Sequence, residues 1–253
     1  MKITRAVVPS LFTVLNMVCG FMSIVNAAEG AFIMASWFVV LAAIFDSLDG
    51  VMARITRSSS QFGVELDSLA DVVSFGAAPS FLVYQIHLHT LENFGIIISA
   101  MPLVFGAIRL ARFNVQLVGF EKDYFNGLPI PFAAMTICAF VFQYYTEEHG
   151  LHGWSEVLLA PLVIVLALLM VSRVRYDTMP KLSRKGLKAH PWRVIFSILG
   201  VVIVLVSKGR LLFPVLIVVI MLGIVRSGYT WIREVTNRVT KEEEESEVSS
   251  IDI

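Results

Sequence analysis

Residues 45–76 read FDSLDGVMARITRSSSQFGVELDSLADVVSFG, and the placement of this stretch decides the fold. Apolar runs at 32–52 and 66–87 flank its polar centre. Each run reaches the roughly 20 residues that a membrane-spanning helix needs. The polar linker RITRSSSQFG then reads as the turn of a helical hairpin. Asp46 and Asp49 fall at the end of the first helix, and Asp67 and Asp71 at the start of the second. A carboxylate close to hydrocarbon is costly, so four of them need a function and a set of partners. Spacings of three and four residues put each pair on one helix face. The hairpin brings the two faces together.

The rest of the chain fits this frame. Of 253 residues 57% are hydrophobic, against about 45–50% in soluble domains, and the mean hydropathy is +0.76. The sequence predicts an all-α polytopic membrane bundle of about eight helices, at 8–28, 32–52, 66–87, 94–114, 129–146, 155–172, 192–207 and 211–229. Pro129 and Pro131 predict an unwound or bent start to the fifth. With the N-terminus inside, every one of the 20 lysines and arginines except Lys208 and Arg210 falls on the inner side. That bias predicts cytoplasmic termini and a cytoplasmic aspartate hairpin in a cell membrane. The opening MKITRAVVPS lacks the layout of a cleaved signal peptide, so the first span is expected to stay.

Three regions are expected: a membrane core over 1–190, a further hairpin over 191–230, and an acidic, disordered tail over 231–253. The basic stretch RVRYDTMPKLSRKGLKAHPWR reads as an anchor to anionic lipid heads. Balanced charge, 20 acidic against 20 basic residues, gives no case for a nucleic-acid partner. Cys19 and Cys138 sit in apolar runs without metal-ligand spacing and read as small hydrophobes. His87, His89, His149 and His152 fall on the outer side, and His190 in the basic loop has no partner cluster. There is no internal repeat and no Rossmann or Walker glycine pattern.

Four converging carboxylates repel one another unless cations compensate. Two divalent ions would balance them, and an all-oxygen donor set without Cys or His suits Mg²⁺ or Mn²⁺. A dinuclear carboxylate site is a device for phosphoryl chemistry, holding the attacking and the leaving oxygen. Gly50, Ala53 and Gly63 lie beside the aspartates. Small residues there leave room for a flat ligand against the backbone, or else serve close helix packing.

Written out, the pattern is Asp46-x2-Asp49-Gly50-x2-Ala53-Arg54-x8-Gly63-x3-Asp67-x3-Asp71. It resembles the signature of the CDP-alcohol phosphotransferases in all eight positions and every gap. The surrounding DSLADVVSFGAAPS, RLARFN, FNGLPIPFAA and PSLFTVLNMVCGF are similar to the branch that joins CDP-diacylglycerol to L-serine. The resemblance covers about the first six spans. It implies that Asp46, Asp49, Asp67 and Asp71 bind two divalent metals holding the donor's diphosphate, with Asp71 also the general base. It implies a cytidine pocket lined by Gly50, Ala53 and Gly63, with Arg54 supporting the metal or phosphate region. It implies release of CMP, and a homodimer.

The first span offers Thr13 and Asn16, either as groups reaching the donor or as interhelical hydrogen bonders. For the acceptor, Arg109 and Arg112 lie one turn apart at the inner end of the fourth span. Either can hold a carboxylate or phosphate, or anchor the interface. Asn114, Ser74, Phe75 and Gly76 complete the acceptor candidates, with packing the alternative for the last three. Two rival readings stand beside the serine reaction. One is the same chemistry on glycerol phosphate or an inositol phosphate, which favours a more basic pocket. The other is a membrane cation transporter, which predicts carboxylates deeper in the bilayer and inverted repeats.

Overall fold

The computed structural model describes residues 7–56, 60–117, 124–172, 174–177 and 211–251. Helix α1 runs Val7–Ala28 and α2 Phe32–Thr56. They pack along their length as an antiparallel pair joined by a tight turn at Gly30, whose φ is 80°. Small residues let the backbones approach: Ala27 on α1 and Ala35 and Ala42 on α2 are all buried. Between membrane helices such contact does the work that water exclusion does in soluble cores.

The third span is composite. Helix α3, Gln61–Asp71, begins at Ser60, whose hydroxyl accepts the Gly63 N–H at 3.0 Å. That cap satisfies one of the four orphan donors at a helix start. A single π-helical turn, Val72–Ala77, follows directly, and α4, Ala78–Ile86, completes the crossing. After a short 3₁₀ turn at Leu88–Leu91, α5 returns over Glu92–Leu117. Pro102 lies inside α5, and the freed ladder is patched from α4, where Ser80 Oγ accepts the Leu103 N–H at 3.1 Å. A neighbouring hydroxyl is a usual repair for proline in a membrane helix.

Helices α6, Ile130–Tyr144, and α7, Trp154–Val171, close the bundle. Pro129 caps α6 and Pro131 sits in its first turn, so these prolines start the helix rather than bend it. Two three-residue strands, β1 Tyr124–Asn126 and β2 Arg175–Asp177, pair antiparallel. The all-α reading did not include them. Gly127 continues that clasp with φ 84°, its N–H on the Val174 carbonyl at 2.9 Å. A side chain there would fall on the Met170 carbonyl, so both conformation and space require glycine.

Helix α8 runs Leu212–Ile251 and docks on α6 through Phe213, which meets Phe140 at 5.4 Å and Tyr144 at 5.5 Å between ring centroids. It carries helix through the segment expected to be disordered. The run TKEEEESEV is rich in good helix formers, and a preceding membrane helix supplies the nucleus that an isolated peptide lacks. Among the described residues, six helical segments are long and apolar enough to span a bilayer, and Ile130–Tyr144 is a shorter apolar helix. These correspond to seven of the expected spans; the expected 192–207 crossing lies outside the described residues, so a count of eight is not established. The chain is a multi-pass, helical membrane protein.

Candidate active site

The end of α2 and the start of α3 meet as the spacing requires. Asp46, Asp49 and Asp67 each present a carboxylate oxygen, and the three lie within 4.8 Å of one another. Asp71, one turn past Asp67 and 8% exposed, lies beside them. Its carboxyl feels the charges of Asp46 and Asp67, and Asp67 feels those of Asp49 and Asp46. The donor set fits a hard divalent cation. It is oxygen only, and Asp67 Oδ1 is buried with no hydrogen-bond partner among the described residues. Carboxylates brought together in this way could hold such a cation, which would offset their repulsion.

Helix α1 forms the back wall. Thr13 Oγ1 donates to Asp49 Oδ2 at 2.9 Å, and Asn16 Nδ2 donates to Asp71 Oδ1 at 3.4 Å. Three residues apart, they occupy one face and reach one aspartate from each helix of the hairpin. Both are buried, and Asn16 Oδ1 has no hydrogen-bond partner among the described residues.

Helix α5 supplies the facing side. Arg109 lies close enough to Asp71 to feel its charge, and its Nε is buried without a hydrogen-bond partner among the described residues. Arg112, one turn on, points elsewhere. Its Nη1 donates to the Val171 carbonyl at 3.1 Å, closing the end of α7, and its side chain is exposed. The structure thus separates two arginines that are equivalent in sequence. Asn114 Nδ2 donates to Ser68 Oγ at 2.9 Å and ties α5 to α3 between Asp67 and Asp71.

The glycines resolve an ambiguity of spacing. A methyl group built on Gly50 meets nothing within 4 Å, and one on Gly63 meets only its capping Ser60 Oγ at 3.2 Å. Among the described residues, no other helix closes on either glycine. Gly76 is different, since its methyl would contact Leu103 at 3.3 Å. Ser74, Phe75 and Gly76 lie inside the π-helical turn and all three are buried. The Arg54 side chain falls outside the described residues; Ala53 is half-buried.

Sequence reasoning passed over Ser68 as a partner of Asn114, and over Gly20 against Ser74. A π-helical turn has no local sequence signal, although Gly20 one turn after Asn16 marks a close approach in retrospect.

Comparison with known proteins agrees with this geometry. The family model described as CDP-alcohol phosphatidyltransferase matches residues 6–172. The chain belongs to that family of membrane enzymes. It is 42% identical over 177 residues to the CDP-diacylglycerol–serine O-phosphatidyltransferase of Helicobacter pylori, 69% of this chain and 73% of that protein. It is 38% identical over 178 residues to the archaetidylserine synthase of Methanothermobacter thermautotrophicus, 69% and 72% of the two chains. The Bacillus subtilis CDP-diacylglycerol–serine O-phosphatidyltransferase is 32% identical over 185 residues, 73% of this chain and 98% of that one.

Proposed function

We propose that this protein transfers the phosphatidyl group of CDP-diacylglycerol to the hydroxyl of L-serine and releases CMP. The observation that carries the reading is the convergence of Asp46, Asp49 and Asp67 within 4.8 Å beside the buried Asp71. Serine as acceptor rests on the names of the relatives, all three of which contain it.

The carboxylates would hold two divalent ions, Mg²⁺ or Mn²⁺, which when bound withdraw charge from the donor's diphosphate. Asp71 takes the proton from the serine hydroxyl as the new oxygen–phosphorus bond forms. The bond to the CMP oxygen breaks, and that oxygen leaves as part of the CMP phosphate. A hydroxyl is almost fully protonated at neutral pH, so a base within reach is required. Asn16 orients Asp71 from behind. Arg109, unpartnered at Nε on the Asp71 side, receives the serine carboxylate. The open space at Gly50 and Gly63 admits the cytidine between Ala53 and the carboxylates.

The lipid tails of the donor stay in hydrocarbon while the head meets a water-soluble acceptor at the boundary. The charge bias of the connections favours placing this boundary, and both termini, on the cytoplasmic side. A homodimer is part of the proposal through the family resemblance. The test is CMP release from CDP-diacylglycerol in Mg²⁺ and in Mn²⁺, with serine, glycerol phosphate and inositol phosphate offered in parallel. Release that depends on serine is expected. Release driven by another acceptor overturns the serine assignment, and ion flux without release overturns the transferase reading.

A further inference from the structure

The π-helical turn places Ser74 where an acceptor ligand would not use it. Its Oγ donates to the backbone carbonyl of Asn16 at 2.9 Å, across the contact between α1 and the third span. Ser74 is fully buried. The contact is tight because α1 has Gly20 there. A methyl group on Gly20 would fall on Ser74 Oγ and come within 2.7 Å of Ser74 Cα. Asn16, whose carbonyl takes this bond, also sends its amide to Asp71. Asp71 in turn is the residue from which the π-helical turn departs.

These contacts close a ring. It runs from Ser74 to the Asn16 backbone, from the Asn16 side chain to Asp71, and through three residues of chain back to Ser74. We infer that Ser74 is a positioning residue, fixing Asp71 against α1 through Asn16, and that Gly20 is the space that lets it do so. A π-helical turn inserts a residue into an α-helix and re-aims the side chains around it, and such turns concentrate at functional sites. Here the turn carries Ser74 onto α1 directly after the aspartate pair. The inference rests on the transfer reaction proposed above for what Asp71 does, and on geometry alone for how it is held.

The alternative role for Ser74, contact with the acceptor, predicts a different kinetic signature. A positioning role lowers kcat and leaves the serine KM unchanged, whereas a lost acceptor contact raises KM. The experiment is a double-mutant cycle of Ser74→Ala and Asn16→Ala in full-length protein in CDP-diacylglycerol-containing vesicles. Each single variant is expected to lower kcat about tenfold with the serine KM within about twofold, and the double variant to be little worse than either, since residues acting as a unit are not additive. A second readout needs no turnover: Mn²⁺ affinity, followed by electron paramagnetic resonance, is expected to weaken in each single variant with the same non-additivity. Additive losses, or a serine KM raised by Ser74→Ala alone, overturn the inference. Non-additive Mn²⁺ binding without CMP release from wild-type protein would sustain the ring and overturn the transferase reading instead. Gly20→Ala is the second probe. It should lower Mn²⁺ affinity as Ser74→Ala does, and unaltered affinity in a folded Gly20→Ala protein also overturns the inference.

Discussion

Two sets of glycines divide this bundle. At Gly20, Gly76 and Gly106 an added methyl group would run into Ser74, Leu103 and Ile130 respectively, so absence of a side chain there is what lets helices touch. At Gly50 and Gly63 no other helix among the described residues stands in the way. In a membrane, small residues are ordinarily read as packing devices. The contrast shows that this explanation holds in the bundle's interior and fails at the aspartate hairpin. The cost of Gly in a helix, about 1 kcal/mol relative to Ala, is accepted at Gly50 with no packing return. The proposed nucleotide pocket would use that space.

Substitutions can break or sharpen that division. The largest effect is expected at the base: Asp71→Asn should lower CMP release about 10³-fold, within the range for a lost general base, and weaken donor binding in vesicles far less than turnover. Near-normal turnover would remove Asp71 from that role. Next, Gly50→Val should raise the donor KM roughly tenfold or more, as expected of lost uniform binding, yet leave the thermal midpoint unchanged or higher. A fall in the midpoint would place Gly50 with the packing glycines. Gly106→Ala should show the reverse, costing about 1–3 kcal/mol by overpacking against Ile130 with little change in donor KM. The arginines give the smallest contrast. Arg109→Lys should raise the serine KM about tenfold by losing a forked donor, whereas Arg112→Ala should change turnover by less than about threefold and cost about 1 kcal/mol through the freed Val171 carbonyl.

What could be read from sequence, and what could not, follows the range of the forces involved. The helices and the convergence of Asp46, Asp49 and Asp67 follow from apolar run length and from spacings of three and four, both of which are local. The equivalence of Arg109 and Arg112 could not be broken that way, because it depends on where α7 ends, some 60 residues away. Thr13 and Asn16 were legible as polar groups in an apolar span, but their assignment to Asp49 and Asp71 needed the crossing of α1 with the hairpin. Ser74 was legible only as a motif residue. Its bond to the Asn16 carbonyl exists because a π-helical turn shifts register, and neither hydropathy nor spacing records that. At the tail, polar composition suggests disorder, whereas α8 runs on from a membrane helix to Ile251.

The account stands on carboxylates from two antiparallel helices sharing divalent ions. Its most direct test is the number of Mn²⁺ ions bound per chain at saturation, measured with CDP-diacylglycerol present in wild-type protein and in Asp67→Asn. Two ions bound by the wild type and a loss of at least one in the variant is the result predicted. No stoichiometric binding, or binding that Asp67→Asn leaves intact, would contradict it.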